Sequence, residues 1–221
     1  MSRPKLTYDE GLEWPFAGVD EVGRGSIAGP VVACALVLRE GYKIEGVRDS
    51  KKLSQKQRAS LEKKIIQAAE CYAFGSVDAG KIDETDILTA TLKAMSLAIR
   101  GLDVFPKTVI VDGIHAPESS FPIVCLKSGD SLSQTVAAAS ILAKQYRDRL
   151  MAEFDEQFPG YGFSAHKGYG TKRHFEAISL HGLCPLHRRT FLKMVRTFSY
   201  EKAAARPRLS SRFIYANIQT D

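Results

Sequence analysis

The stretch AGVDEVGRGSIAGP, from Ala17 to Pro30, decides how the rest of the chain is read. It opens as a short strand, then places Asp20 and Glu21 directly before Gly23-Arg24-Gly25, where the backbone can turn sharply and lie close to a ligand. Adjacent carboxylates repel each other and resist burial unless a proton or cation intervenes, so a pair at a strand end is a candidate metal site. Arg24, lifted on a glycine turn, is placed to meet a phosphate. The alternative is a solvated acidic turn, and only the remainder of the chain separates the two.

Working outward, Phe16 to Val22 and Val31 to Arg39 are apolar and rich in β-branched residues, with Gly29-Pro30 between them. They read as neighbouring antiparallel strands, the second buried on both faces. Ser54-x-x-Gln57 is a capping box that opens a helix through about Ala69, with Leu61, Ile65, Ala68 and Ala69 on one face. Cys71 to Val77 reads as a third strand. Asp83 or Thr85 is expected to start a helix whose Leu88, Leu92, Met95 and Ile99 form a stripe before Gly101 stops it.

Thr108 to Val111 is a short strand that leaves Asp112 at its carboxyl end, and Phe121 to Leu126 is a fifth. Gly129-Asp130 then precedes a long helix, for which Ser131-x-x-Gln134 offers a second capping box. Its Val136 to Ala143 segment is alanine-rich and suited to close packing on a sheet. Asp130 is either a capping acid at the helix start or a member of a site. Residues Gln157 to Gly170 form a glycine and aromatic loop with Tyr161, His166, Lys167 and Tyr169, either a surface cover or a ligand-contacting flap. Thr171 caps a helix to about His181. Phe191, Met194, Val195 and Phe198 predict a final amphipathic helix, with Arg188, Arg189, Lys193 and Arg196 on its polar side. The organisation expected is an N-terminal segment (1–15), a core (16–156), an aromatic and basic loop with C-terminal helices (157–200) and a tail (201–221) expected to be poorly ordered.

The 221 residues are 44% hydrophobic and 25% charged, the profile of one soluble globular domain. Val31 to Leu38, the longest apolar run, is too short to cross a bilayer, and the polar N-terminus has no secretory core, so a cytoplasmic location is expected. The four cysteines are widely spaced and read as reduced residues rather than a disulfide framework. His181, Cys184 and His187 lack a fourth zinc ligand. A net charge of +6 and a pI near 9.1 favour polyanionic partners.

Three strands, a helical crossover and two more strands describe an α/β domain with a mixed sheet, in which Asp20, Asp112 and Asp130 all fall at element ends. Such acids converge on one cleft and suit hard Mg²⁺ or Mn²⁺ ions better than zinc. Two such ions would serve phosphodiester hydrolysis. Strand alternation sends Asp20 and Glu21 to opposite faces, so shared metal binding requires a bulge or the strand's end at that point.

The pieces Asp20-Glu-Val-Gly-Arg-Gly25, Asp49-Ser-Lys-Lys-Leu53, Val111-Asp-Gly113, Gly129-Asp130 with Ala137-Ala-Ala-Ser-Ile-Leu-Ala-Lys144, His166-Lys-Gly-Tyr-Gly-Thr171 and His187-Arg-Arg occur in an order that resembles bacterial ribonuclease HII. The resemblance runs from about Ala17 to Phe191. It implies a ribonuclease H-like mixed five-stranded sheet flanked by helices, with a C-terminal helical extension. It further implies that Asp20, Glu21, Asp112 and Asp130 are the catalytic, metal-binding acids, using two Mn²⁺ or Mg²⁺ ions. The implied substrates are RNA–DNA hybrids and single ribonucleotides embedded in duplex DNA, cut on the 5′ side to leave 3′-hydroxyl and 5′-phosphate ends by a monomeric enzyme. Gly23, Arg24 and Gly25 would read the ribose 2′-hydroxyl, Tyr169 would stack on the neighbouring sugar, and Lys51 would contact substrate. The lysine that ribonuclease HIII carries between these glycines is absent here.

Three rival readings have weaker support. Gly129-Asp-Ser-Leu132 and Asp112-Gly-Ile-His115 match fragments of a GDSL-type esterase, with Ser131 as nucleophile, but in reversed order. The glycines from Gly23 to Gly29 lack the Lys-Ser/Thr of a P-loop. A non-catalytic nucleic-acid-binding module explains the charge and leaves the acids without purpose.

Overall fold

The computed structural model describes residues 6–47 and 53–193. Its centre is a five-stranded sheet in the order β3-β2-β1-β4-β5, built from β1 (Phe16–Val22), β2 (Val31–Leu38), β3 (Ala69–Val77), β4 (Thr108–Asp112) and β5 (Ile123–Leu126). β1, β2 and β3 pair antiparallel, while β4 joins β1, and β5 joins β4, in parallel. The connections fit the mixed sheet: residues 23–30 return β1 antiparallel to β2, one helix lies between antiparallel β2 and β3, and two helices between β3 and β4 form the crossover that brings β4 in parallel to β1. β2 is buried along its whole length, as its unbroken apolar run requires.

Helices cover both faces. α1 (Gln55–Ala68) opens with the expected capping box: the Ser54 hydroxyl accepts from the Gln57 N–H, and the Gln57 side chain accepts from the Ser54 N–H. The crossover divides into α2 (Ala79–Glu84) and α3 (Ile87–Arg100), capped by Asp78 and Asp86 rather than by Asp83 or Thr85. Asp83 instead accepts from the backbone N–H groups of Arg189 and Thr190. The buried stripe of α3 runs through Ala90, Ala94, Met95, Ala98 and Ile99, and Leu88 stays outside the core, because small residues let this helix lie close on the sheet.

On the other face lies α5 (Gln134–Gln157), after the short α4 (Gly129–Leu132). Its cap is Ser133, which accepts from the Val136 N–H; Ser131 does not cap it, and Gln134 instead accepts from the Ile44 N–H. Gly18 of β1 makes the contact possible, since a Cβ there would stand 2.6 Å from the backbone of Thr135 and Val136. α6 (Phe163–His166), α7 (Lys172–His181) and α8 (Arg189–Lys193) close a separate small core with Ile27, Met151, Phe163, Ile178 and Leu192. Thr171 caps α7 as expected. The predicted helical positions Met194, Val195, Arg196 and Phe198, the tail, and Asp49 and Lys51 lie outside the described residues.

Candidate active site

Val19, Val109 and Val111 face the α3 side of the sheet, so alternation turns Asp20 and Asp112 toward α5. The parallel register pairs Val19 with Val111, which sets these two acids level on adjacent strands. Asp20 is 5% exposed; its Oδ1 accepts from the Glu21 N–H at 2.7 Å, and Ser140 of α5 hydrogen-bonds it. Asp112 ends β4, and its Oδ1 accepts from the Gly129 N–H at 2.6 Å. That bond ties the α4 turn to the sheet and brings in Asp130, 7% exposed, whose Oδ1 accepts from the Ser131 hydroxyl.

No bulge interrupts β1 against β2 at Glu21, yet its side chain hydrogen-bonds that of Asp20 and feels the charge of Asp112. It clears the sheet because the β1–β4 ladder stops at Val19, which leaves Glu21 at the strand's end along that edge. Its Oε1 accepts from Arg24 at 3.3 Å.

Burial raises the Asp20 carboxyl well above its ordinary range, and the charges of Glu21 and Asp112 push it further. Burial also raises Glu21, opposed by the Arg24 guanidinium. A buried carboxylate under like-charge repulsion is relieved by a proton or a cation, and an all-oxygen donor set fits a hard divalent ion. Among the described residues, no three His, Cys, Asp or Glu side chains are arranged to hold an ion as they stand. Asp20 and Asp112 each have one oxygen engaged by a backbone N–H.

Beside the acids, Gly23 takes φ +94°, and a Cβ on it would run into the Arg147 side chain. Arg24 and Gly25 are exposed, while Ser26 to Pro30 are buried. The turn is held from within by two arginines that solvent does not reach. Arg188 donates to the carbonyls of Gly23 at 2.8 Å, Arg24 at 2.9 Å and Gly29 at 3.0 and 2.9 Å. Arg147 donates to the carbonyls of Pro30, Ala28 and Lys167 and to the Ser26 hydroxyl. Neither has a carboxylate partner within salt-bridge distance among the described residues. Burial lowers the Arg147 guanidinium to about 10. Burial, then repulsion from Arg147, lowers that of Arg188 to about 9, so both remain cations at neutral pH.

Placing Arg188 on an exposed polar face is therefore a misreading: it belongs to the site. Arg147 was not singled out from the sequence, although Ala139, Ala143, Arg147 and Met151 recur at four-residue spacing on the buried face of α5, a signal that places it inside. Tyr169 is 38% exposed, its ring 5.9 Å from the Arg147 guanidinium carbon. The preceding Gly168 carbonyl accepts from the N–H groups of Ile27 and Ala28. Gly23, Arg24, Gly25 and Tyr169 thus sit on one interlocked unit next to the acids.

The esterase reading fails on geometry. The Ser131 hydroxyl turns to Asp130, and no hydrogen bond joins it to His115, which is exposed after β4.

Residues 17–195 match the model of the family described as Ribonuclease HII. The chain belongs to the ribonuclease HII family. It is 48% identical over 193 residues to ribonuclease HII of Ruminiclostridium cellulolyticum, covering 87% of this chain and 75% of that one. With ribonuclease HII of Geotalea uraniireducens it shares 51% over 176 residues, 80% and 82% of the two chains. Among solved structures, ribonuclease H2 from Pyrococcus horikoshii superposes with a TM-score of 0.66 at 29% identity, over 79% of this chain and 92% of that one. The Archaeoglobus fulgidus ribonuclease HII, solved in complex with PCNA, gives 0.63 at 26% identity, over 79% and 93%. Membership makes this chain a metal-dependent ribonuclease H, a hydrolase of RNA in RNA–DNA hybrids.

Proposed function

We propose that this ribonuclease HII also incises duplex DNA on the 5′ side of a single embedded ribonucleotide, leaving 3′-hydroxyl and 5′-phosphate ends. The observation that carries the reading is the adjacency of two devices: buried Asp20 level with half-buried Asp112, and a glycine turn whose carbonyls are drawn inward by Arg188. Asp20, Glu21, Asp112 and Asp130 would hold the Mn²⁺ or Mg²⁺ ions. Bound there, the ions supply Lewis-acid stabilisation of the charge that builds on the attacking and leaving oxygens.

The chain's own residues handle recognition. With the Gly23 and Arg24 carbonyls engaged from within, the outer side of the turn is left for backbone contact with the ribose 2′-hydroxyl, the group that separates RNA from DNA. Tyr169 stacks on the following sugar and positions the junction, and Lys51 contacts the substrate. The enzyme acts as a monomer.

The test uses end-labelled duplex DNA holding one ribonucleotide, incubated with Mn²⁺, Mg²⁺ or chelator. Metal-dependent cleavage at the single 5′ position is the expected result. Cleavage undiminished by chelator, or on the 3′ side of the ribose, would overturn the reading.

A further inference from the structure

Beneath the Tyr169 segment lie three histidines that the hydrolysis scheme leaves unused. His174 Nδ1 lies 2.9 Å from the Tyr169 carbonyl, and His174 Nε2 lies 3.1 Å from His187 Nε2. His187 Nδ1 in turn lies 3.0 Å from the Cys184 N–H and 3.2 Å from the Cys184 sulfur. Both histidines are fully or almost fully buried.

Only one arrangement of protons satisfies this chain. A carbonyl accepts and never donates, so His174 carries its proton on Nδ1 and accepts at Nε2. His187 must then donate from Nε2, which leaves its Nδ1 to accept from the Cys184 N–H. The reverse arrangement would serve the Cys184 carbonyl, 3.2 Å from His187 Nδ1. It would also set an imidazole lone pair against the Tyr169 carbonyl and two N–H groups against each other at Cys184. Burial keeps both rings neutral, holding His174 near 4 and His187 near 3. His166 stacks on His174 at 4.1 Å, and Phe163 meets it edge-on at 5.5 Å, so the His174 ring is fixed in plane as well as in tautomer.

This relay reaches the site at both ends. Tyr169 follows Gly168, whose carbonyl is docked on Ile27 and Ala28, and His187 pairs with Ala28 and immediately precedes Arg188. We propose that His174 and His187 are positioning residues, which set the Tyr169 ring relative to the glycine turn through a hydrogen-bond relay of fixed proton direction. The proposal rests on the stacking role assigned above to Tyr169.

The direct test is ¹⁵N NMR of the imidazole nitrogens in the full chain at neutral pH. The expected pattern is a protonated Nδ1 in His174 and a protonated Nε2 in His187; the reverse overturns the proposal. In kinetics, His174→Phe keeps a ring and removes both bonds. It should lower kcat at a single embedded ribonucleotide about tenfold, with KM little changed, as expected when one positioning hydrogen bond is lost. His174→Asn retains an N–H near the Nδ1 position and should recover most of that loss; an Asn variant no better than Phe counts against the relay. If the Phe variant does not fold, the Asn variant and the wild-type spectrum still decide.

Placed on a Tyr169→Ala background, His174→Phe should cost less than about twofold, since coupled residues are non-additive. Full activity of Tyr169→Ala alone would refute the stacking role and take the relay with it. A damaging Tyr169→Ala combined with fully additive losses would refute the relay and leave stacking intact.

Discussion

Arg188→Met removes a buried cation while keeping much of its length, and it tests whether the glycine turn depends on support from within. The four hydrogen bonds lost serve three carbonyls. Gly23 keeps a weaker bond from the Ser26 N–H at 3.4 Å, so the Arg24 and Gly29 carbonyls bear the loss. A buried group left unpaired costs about 1–3 kcal/mol, giving roughly 2–6 kcal/mol for the two. Part is returned because a guanidinium lowered to about 9 by burial no longer has to be desolvated. The expected net loss is about 2–4 kcal/mol, a large share of the 5–15 kcal/mol typical of a domain. Arg188→Lys keeps the charge but cannot span three carbonyls from one nitrogen, and it should recover little. Urea unfolding gives the stability, and kcat/KM on a single-ribonucleotide duplex gives the function, with binding to plain DNA as the control. An unchanged urea midpoint together with unchanged kcat/KM in Arg188→Met would show that the turn holds itself.

Asp20→Asn should abolish turnover and also raise the Tm of the metal-free protein. Its folded-state carboxyl is raised, so the cost of ionising it is absent below the ordinary carboxylate range and grows as pH rises through the raised value; a lower Tm at neutral pH would contradict this. Ser133→Ala should cost about 1 kcal/mol of stability as the loss of the α5 cap, whereas Ser131→Ala should cost less and leave hydrolysis largely intact, as denaturation midpoints and initial rates would report. An inactive, folded Ser131→Ala would return attention to ester chemistry. Gly18→Ala forces a methyl against the backbone of Thr135 and Val136 and should destabilise by more than about 1–3 kcal/mol, since backbone yields less readily than a side chain; near-wild-type stability would mean α5 rides higher on β1 than described.

The fold could be read largely because its signals are local. The all-apolar Val31–Leu38, the Ser54/Gln57 box and the alanines of α5 each specify their own element. Asp20 and Asp112 could be placed at strand ends, but the register that sets them level belongs to a pairing of distant segments. Caps were less legible where several candidates stand close together: Asp78, Asp83, Thr85 and Asp86 each offer an oxygen, and packing chooses among them. Arg188 was misjudged for a different reason. Charge next to Arg189 argues for solvent, and only three inward-facing carbonyls from residues 23–29 make its burial tolerable.

The grip of Arg188 on Gly23 spans 165 positions of sequence. All four acids precede Ser131, so a chain emerging from the ribosome has its full set of carboxylates long before the residue that braces its glycine turn exists. Closing so long a loop is entropically costly and comes late in folding. On the recognition role proposed for the turn, the order of synthesis makes discrimination the last property this nuclease acquires, and a chain cut short before residue 188 would carry the carboxylates without the brace beneath Gly23 and Arg24.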